Sequence, residues 1–284
     1  MPSAPNNWGP DGRRAAVSVC FDNLGEARDV GAGTWPPDRP HGAHPSALQA
    51  LPRILATLAE LDMHASFFVE GWNVDVYPDQ ISAINDQGHD LGLHGWLHES
   101  WGRLPFDEEV QLLDHCAAAA ARLGVQFQGF RPPGGLLTDS TLTLLRERGF
   151  RFCSPLANAV TLSQDITIVP FQWAVVDGYH YLPELTDLRR SQGDRSEVAT
   201  PAQCASALRH ALRAVIDQGR CTALTFHPFL TLNPDAHRVA VDLIAELSSN
   251  TDIWCAPCSQ IAAWVKDHPD TFTGAPLLGT TTWN

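Results

Sequence analysis

Gly88-His-Asp-Leu-Gly-Leu-His94-Gly-Trp-Leu-His98-Glu99 is the stretch from which the fold follows. Its apolar part, Asp90-Leu91-Gly92-Leu93, is too short for a buried helix and is flanked by glycines. It reads as a strand of a barrel or sheet that delivers His94 at its carboxyl end. His94 and His98 stand at metal-ligand spacing, because zinc and its neighbours favour imidazole nitrogen. An i,i+4 step is expected to set both rings on one side of a single helical turn. With 12 histidines in 284 residues, one such pair is no more a ligand set than two surface histidines in a turn. The rest of the chain breaks that tie.

Working outward, residues 15–21 form a nearly continuous apolar run, as a strand covered on both faces should, and residues 64–69 form a second. Further strands are expected at 127–130, 150–153, 166–169, 171–176, 221–226 and 252–255. Helical periodicity appears from Ser46 on, at 77–87, 107–123, 139–148, 201–218, 235–248 and 259–266. Strands that alternate with helices specify a mostly parallel sheet, and this many repeats favour closure. The expectation is an α/β fold, a distorted (β/α) TIM-like barrel, with residues 1–284 as a single domain. Residues 1–14 are a lead-in. Residues 269–284 are a tail whose apolar members (Phe272, Leu277, Leu278, Trp283) either cap the barrel or meet a second copy in a homo-oligomer. Residues 27–45 and 182–200 read as long loops over the barrel mouth.

Composition narrows the function. A formal charge of −13 argues against nucleic-acid and anionic-membrane partners, which want basic surfaces. No apolar run reaches membrane-spanning length, and the first residues lack a secretion signal, so a cytoplasmic protein is expected. Seven cysteines, an odd number set in apolar segments, suit buried thiols better than a disulfide framework. Cys255 and Cys258 read as core thiols at a strand–helix junction.

Asp22, His94, His98, Arg131, Asp177 and His227 all fall at or just after strand carboxyl ends, the face where α/β barrels build active sites. Singly, Asp177 is as well explained by a turn cap, Arg131 by a bridge between loops and His227 by core packing. Five short motifs in order now give a resemblance: Phe21-Asp22-Asn23, His94-Gly-Trp-Leu-His98, Arg131-Pro-Pro-Gly-Gly135, Trp173-Ala-Val-Val-Asp177 and Leu224-Thr-Phe-His227. The chain resembles the polysaccharide deacetylase superfamily (NodB homology, carbohydrate esterase family 4). The His-Gly-Trp-Leu-His-Glu form of its second motif is similar to the intracellular peptidoglycan-deacetylase-like and allantoinase-like branch.

The resemblance implies metal-assisted hydrolysis of an acetamide or similar amide. His94 and His98 would hold a divalent ion, zinc first and cobalt or nickel next. Asp22 would act as general base, with Arg131 holding it charged and oriented. His227 would protonate the departing amine, with Asp177 stabilising its imidazolium form. Trp96, Pro133, Gly134 and Tyr179 are expected to contact a small-molecule or saccharide amide, with Trp35 and Tyr181 walling the site. One departure matters: where the family places a second, metal-binding aspartate, this chain has Asn23. Either Asn23 serves as a neutral ligand, or Asp22 or Glu26 takes its place, or the metal is lost. The rival readings are therefore a metal-independent hydrolase of a small cyclic ureide or imide, and a degenerate saccharide-binding protein.

Overall fold

The computed structural model describes residues 7–272 and 277–279. Strand β1 (Ala15–Asp22) is buried at all eight positions, which is why its sequence is apolar without alternation. It lies next to one end of a sheet whose other strands are β2 (Ser66–Val69), β3 (Asp90–Leu93), β4 (Gly129–Phe130), β5 (Phe152–Cys153), β6 (Thr161–Ser163), β7 (Ile166–Ile168), β8 (Cys221–Phe226) and β9 (Ile253–Cys255). The order is β6-β7-β5-β4-β3-β2-β1-β8, with β9 also paired to β1. All these pairings are parallel except the β6–β7 hairpin. β9 pairs with the amino end of β1 and β2 with its carboxyl end, so β1 holds three strands.

The helices are α1 (Ala27–Gly31), α2 (Leu51–Glu60), α3 (Trp72–Val76), α4 (Pro78–Asp86), α5 (Phe106–Leu123), α6 (Thr141–Glu147), α7 (Asp177–Tyr181), α8 (Thr186–Ser191), α9 (Pro201–Asp217), α10 (Pro234–Ser249) and α11 (Cys258–Asp267). The longer ones bury one face on the sheet, as their apolar spacing requires. In α2 that face is Leu51, Ile54, Leu55 and Leu58. Phe21 and Phe67 stack at 4.9 Å in the core and Phe226 stands 6.1 Å from Phe21. Fully burying such a side chain contributes about 2 kcal/mol. Gly129 lets β4 approach β5: a Cβ there would lie 2.1 Å from the Phe152 ring.

Closure is local. Residues 171–176 do not form the expected strand. A 3₁₀ turn, Trp173–Val175, interrupts them, and only single bridges remain, Phe171 to Leu156 and Val176 to Thr225. Ala223 N–H donates to Pro170 O at 2.9 Å, so this segment joins the two ends of a curled sheet into a distorted barrel. Residues 182–200 are more ordered than a polar loop should be. α8 sits among them because the Arg189 guanidinium, 1% exposed, donates to the carbonyls of Tyr179, Leu182 and Ser196 and to Thr186 Oγ1. Residues 27–45 contain α1 and are pinned from within. Glu26 accepts from Tyr77 Oη and, at 2.7 Å, from Gly42 N–H.

Of the apolar tail residues, Phe272 is buried with its ring 5.0 Å from Trp8. Leu277 is 72% exposed, and Trp283 lies outside the described residues. All seven cysteines are unbridged and six are buried. Cys255 ends β9 and Cys258 opens α11. Among the described residues, no helix is long and apolar enough to cross a membrane.

Candidate active site

Register brings the motif residues together. β1 pairs Phe21 with Phe226 of β8, so the residues that follow, Asp22 and His227, stand level. β3 pairs Leu93 with Phe130 of β4, which does the same for His94 and Arg131. Asp22, Asn23, His94, His98, Arg131 and His227 line one pocket at the carboxyl ends of the strands, with about 40 Å³ of free space. At roughly 10–15 Å³ per water, that takes about three water-sized groups.

One side of the pocket is an ion pair. Arg131 Nη1 donates to both Asp22 oxygens at 2.9 Å and to Thr225 Oγ1 at 2.7 Å, while Nη2 donates to Ser154 Oγ at 2.9 Å. Arg131 is 2% exposed and Asp22 6%, so the pair is screened little by solvent and its orientation is fixed. On the other side His227 Nδ1 lies 2.5 Å from Asp177 Oδ1, and Asp177 Oδ2 accepts the His227 backbone N–H at 2.9 Å. Burial pulls the His227 pKa down, but the charge and hydrogen bond of Asp177, with the Asp22 charge, together outweigh it, and the net shift is upward.

The third group is the histidine pair. His94 Nδ1–H donates to the Arg131 carbonyl at 2.8 Å, which leaves Nε2 as the lone-pair nitrogen. Burial pushes His94 down to about 3 against that hydrogen bond, and burial together with the neighbouring His94 pushes His98 well below its ordinary value. Both rings are therefore neutral, the form a metal takes. Their centroids are 4.9 Å apart, yet residues 94–98 are not helical, as the i,i+4 spacing had suggested. Gly95 (φ +75°) and His98 (φ +65°) turn the chain instead, and a Cβ on Gly95 would lie 2.7 Å from Glu99 Oε2. The Glu99 carboxylate accepts from the backbone N–H groups of Trp96 and Leu97 at 2.9 and 2.8 Å, holding the turn.

Asn23 also has a left-handed backbone, φ +60°. That conformation costs a non-glycine residue about 1–2 kcal/mol, least for asparagine, and such residues cluster at functional sites. Its Oδ1 is buried with no hydrogen-bond partner. Two neutral imidazoles and an orphaned amide oxygen on one pocket fit a divalent cation, although the donor set carries no charge. Among the described residues, no group of three His, Cys, Asp or Glu side chains gathers as a ligand set. The two acidic substitutes for Asn23 fall away: Asp22 is held by Arg131, and Glu26 is turned into the loop toward Tyr77.

Four of the expected aromatic residues are placed outside the lining of the pocket and of the groove beside it. Trp96 stacks on His115 at 3.8 Å, against α5. Tyr179 is buried and donates to Asp194 at 2.5 Å. Tyr181 packs on the core, and Trp35 packs against His41, His44 and Arg39 within its own loop. Each holds down a loop. Gly134 lines the pocket, and Pro133 lines an adjoining groove. Trp173, Thr225, Ser154 and Arg28 were not foreseen as site residues. Thr225 shares a strand face with His227, and Ser154 follows a strand end, so the strand-end rule reaches both. Arg28 left no signal, because its loop has no periodicity.

The sequence model of the polysaccharide deacetylase family matches residues 38–153. A Mycobacterium smegmatis protein described as a polysaccharide deacetylase has the same fold, with a TM-score of 0.81 and 30% identity over 99% of both chains. The peptidoglycan deacetylase-like protein FGM2 of Gibberella zeae is 31% identical over 93 residues, 32% of this chain and 28% of its own length. Chitin deacetylase 1 of Saccharomyces cerevisiae is 32% identical over 99 residues, 34% of this chain and 33% of its own length. Puue allantoinase, 17% identical over 95% of both chains with a TM-score of 0.73, shares the fold.

Proposed function

The chain belongs to the polysaccharide deacetylase family, and we propose that it is a hydrolase of a non-peptide carbon–nitrogen amide bond, most simply an N-deacetylase of an amino sugar or small acetamide. One observation carries this: a carboxylate fixed by a buried guanidinium faces an imidazole fixed by a buried carboxylate across a pocket with about 40 Å³ of free space.

Asp22 accepts the proton of the attacking water as general base. Arg131 bonds both Asp22 oxygens and so fixes their direction. His227, with Nδ1 committed to Asp177, presents Nε2 and protonates the departing nitrogen as general acid. Asp177 holds the ring orientation and stabilises its charged form, which the upward shift of His227 supports. His94, His98 and Asn23 would hold a divalent ion, which when bound supplies Lewis-acid activation of water and of the amide carbonyl. We assign zinc as that ion on the strength of the two imidazoles.

The test is product analysis by mass spectrometry after incubation with N-acetylglucosamine oligomers, small acetamides and cyclic ureides, with His227→Ala as control. Release of acetate by the native chain alone supports the reading. Addition of water to a ring without acetate points to the cyclic-amide hydrolase. Turnover of nothing, with or without added zinc, points to a binding protein and sinks the assignment.

A further inference from the structure

Beside the reacting groups stands a buried carboxyl that the hydrolysis above does not use. β2 pairs Val69 with Leu93 of β3, so the next residue, Glu70, stands level with His94 at the strand carboxyl ends. Glu70 and Asn73, near the start of α3, are both fully buried. Glu70 Oε2 accepts from Asn73 Nδ2 at 2.8 Å, and the same nitrogen donates to the Leu24 carbonyl at 2.7 Å. Both N–H bonds of that amide are thereby committed. Flipped, it would set its own oxygen against two acceptors.

Leu24 follows Asn23, the left-handed residue that lines the pocket. On the other side of Asn23, Asp22 is fixed by the pairing of β1 and by Arg131. Asn23 therefore joins two fixed points, and its unusual φ is what lets the chain meet both. The buried Leu24 side chain anchors the turn without direction, as apolar contacts do, whereas the bond to its carbonyl is directional. The arrangement carries a penalty. Glu70 Oε1 and Asn73 Oδ1 are buried with no hydrogen-bond partner among the described residues, which a simple tether from α3 to the turn would avoid.

We infer that Glu70 is a positioning residue: it fixes the Asn73 amide, which holds the Leu24 carbonyl and so keeps Asn23 left-handed, with its side chain on the pocket. What Asn23 does there, as a neutral ligand of a divalent ion, rests on the hydrolase reading above.

NMR backbone chemical shifts of Asn23 report its φ and need neither turnover nor metal. They are measured for the native chain, Glu70→Leu, Asn73→Asp and Glu70→Gln, with zinc affinity by titration calorimetry and the melting temperature of the metal-free chain. Glu70→Leu removes the acceptor, and Asn73→Asp puts an acceptor where the donor was. Each should move the Asn23 shifts away from the left-handed pattern and weaken zinc binding by about 10- to 100-fold, as loss of a supporting group does. Glu70→Gln keeps an oxygen for Asn73 and should restore both readouts. A tether without a directing role predicts lower melting temperatures with the Asn23 shifts in place, and that result overturns the inference. Should one of the two disruptive variants fail to fold, the other carries the comparison. If the native chain binds no zinc and hydrolyses nothing, the hydrolase reading falls, while the Asn23 shifts still decide whether Glu70 directs that residue.

Discussion

Asp177→Asn isolates the acid half of the site with little change in shape. Asp177 Oδ1 lies 2.5 Å from His227 Nδ1 and 2.6 Å from the Gly178 N–H, and Oδ2 accepts the His227 N–H. An asparagine keeps the volume and loses the charge. A hydrogen bond to a charged partner contributes about 1.5–3 kcal/mol, and about 1.4 kcal/mol corresponds to one pKa unit. The His227 pKa should therefore fall, because burial stays while the Asp177 charge that opposes it is lost. The protonated acid then becomes scarcer near pH 7, and the alkaline limb of kcat/KM against pH should move to lower pH, by about one to two units for the loss of such a bond. Stability carries a matching sign. In the native chain a His227 pKa raised on folding contributes stability that is present below pH 6.5 and lost as pH rises through the folded value. In the variant that contribution disappears. The assay is a pH–rate profile from pH 5 to 9, paired with NMR titration of the His227 ring. An alkaline limb that stays in place while the ring pKa drops would refute His227 as the acid.

Three further outcomes are expected. Asn23→Asp adds a charge where the orphaned Oδ1 lies, so zinc affinity measured by titration calorimetry should rise by at least the 10- to 100-fold that supporting groups alone supply; unchanged affinity would remove Asn23 from the ligand set. Arg131→Met leaves the buried Asp22 carboxylate without its partner and should cost about 3–5 kcal/mol in urea denaturation, a loss under 1 kcal/mol contradicting the geometry. Glu70, fully buried just after β2, is pushed up to about 8, by burial first and by the Asp22 and Glu99 charges after it. A carboxyl raised on folding contributes stability that is full below pH 4.5 and lost as pH rises through 8, so Glu70→Gln should flatten the fall in melting temperature across that window, and an unchanged slope would place the titration elsewhere.

Much of the fold is legible in the chain because it depends on local periodicity. The apolar run of β1, the short strand before His94 and the long helices at 106–123 and 201–217 announce themselves through burial on both faces or on one. What failed locally failed for a tertiary reason. Residues 171–176 look like a strand, but they must bridge two strand ends and break into a turn. Residues 182–200 look like a surface loop because Arg189 counts as polar, whereas its guanidinium serves as a buried hub. Trp96 and Tyr179 look like substrate contacts because aromatic residues flank the motifs, and only packing shows that one faces His115 and the other Asp194.

The sequence by itself determined the order of elements and the residues that gather at the strand carboxyl ends, because a parallel sheet with helical crossovers sends every strand end to one face. Tertiary structure alone decided which of those residues touch. Asp22 meets Arg131 across 109 positions and Asp177 meets His227 across 50, distances over which no periodicity carries information. It also decided the size of the pocket and the place of Arg28 beside it, since both depend on how two loops without a repeating pattern pack over the barrel mouth.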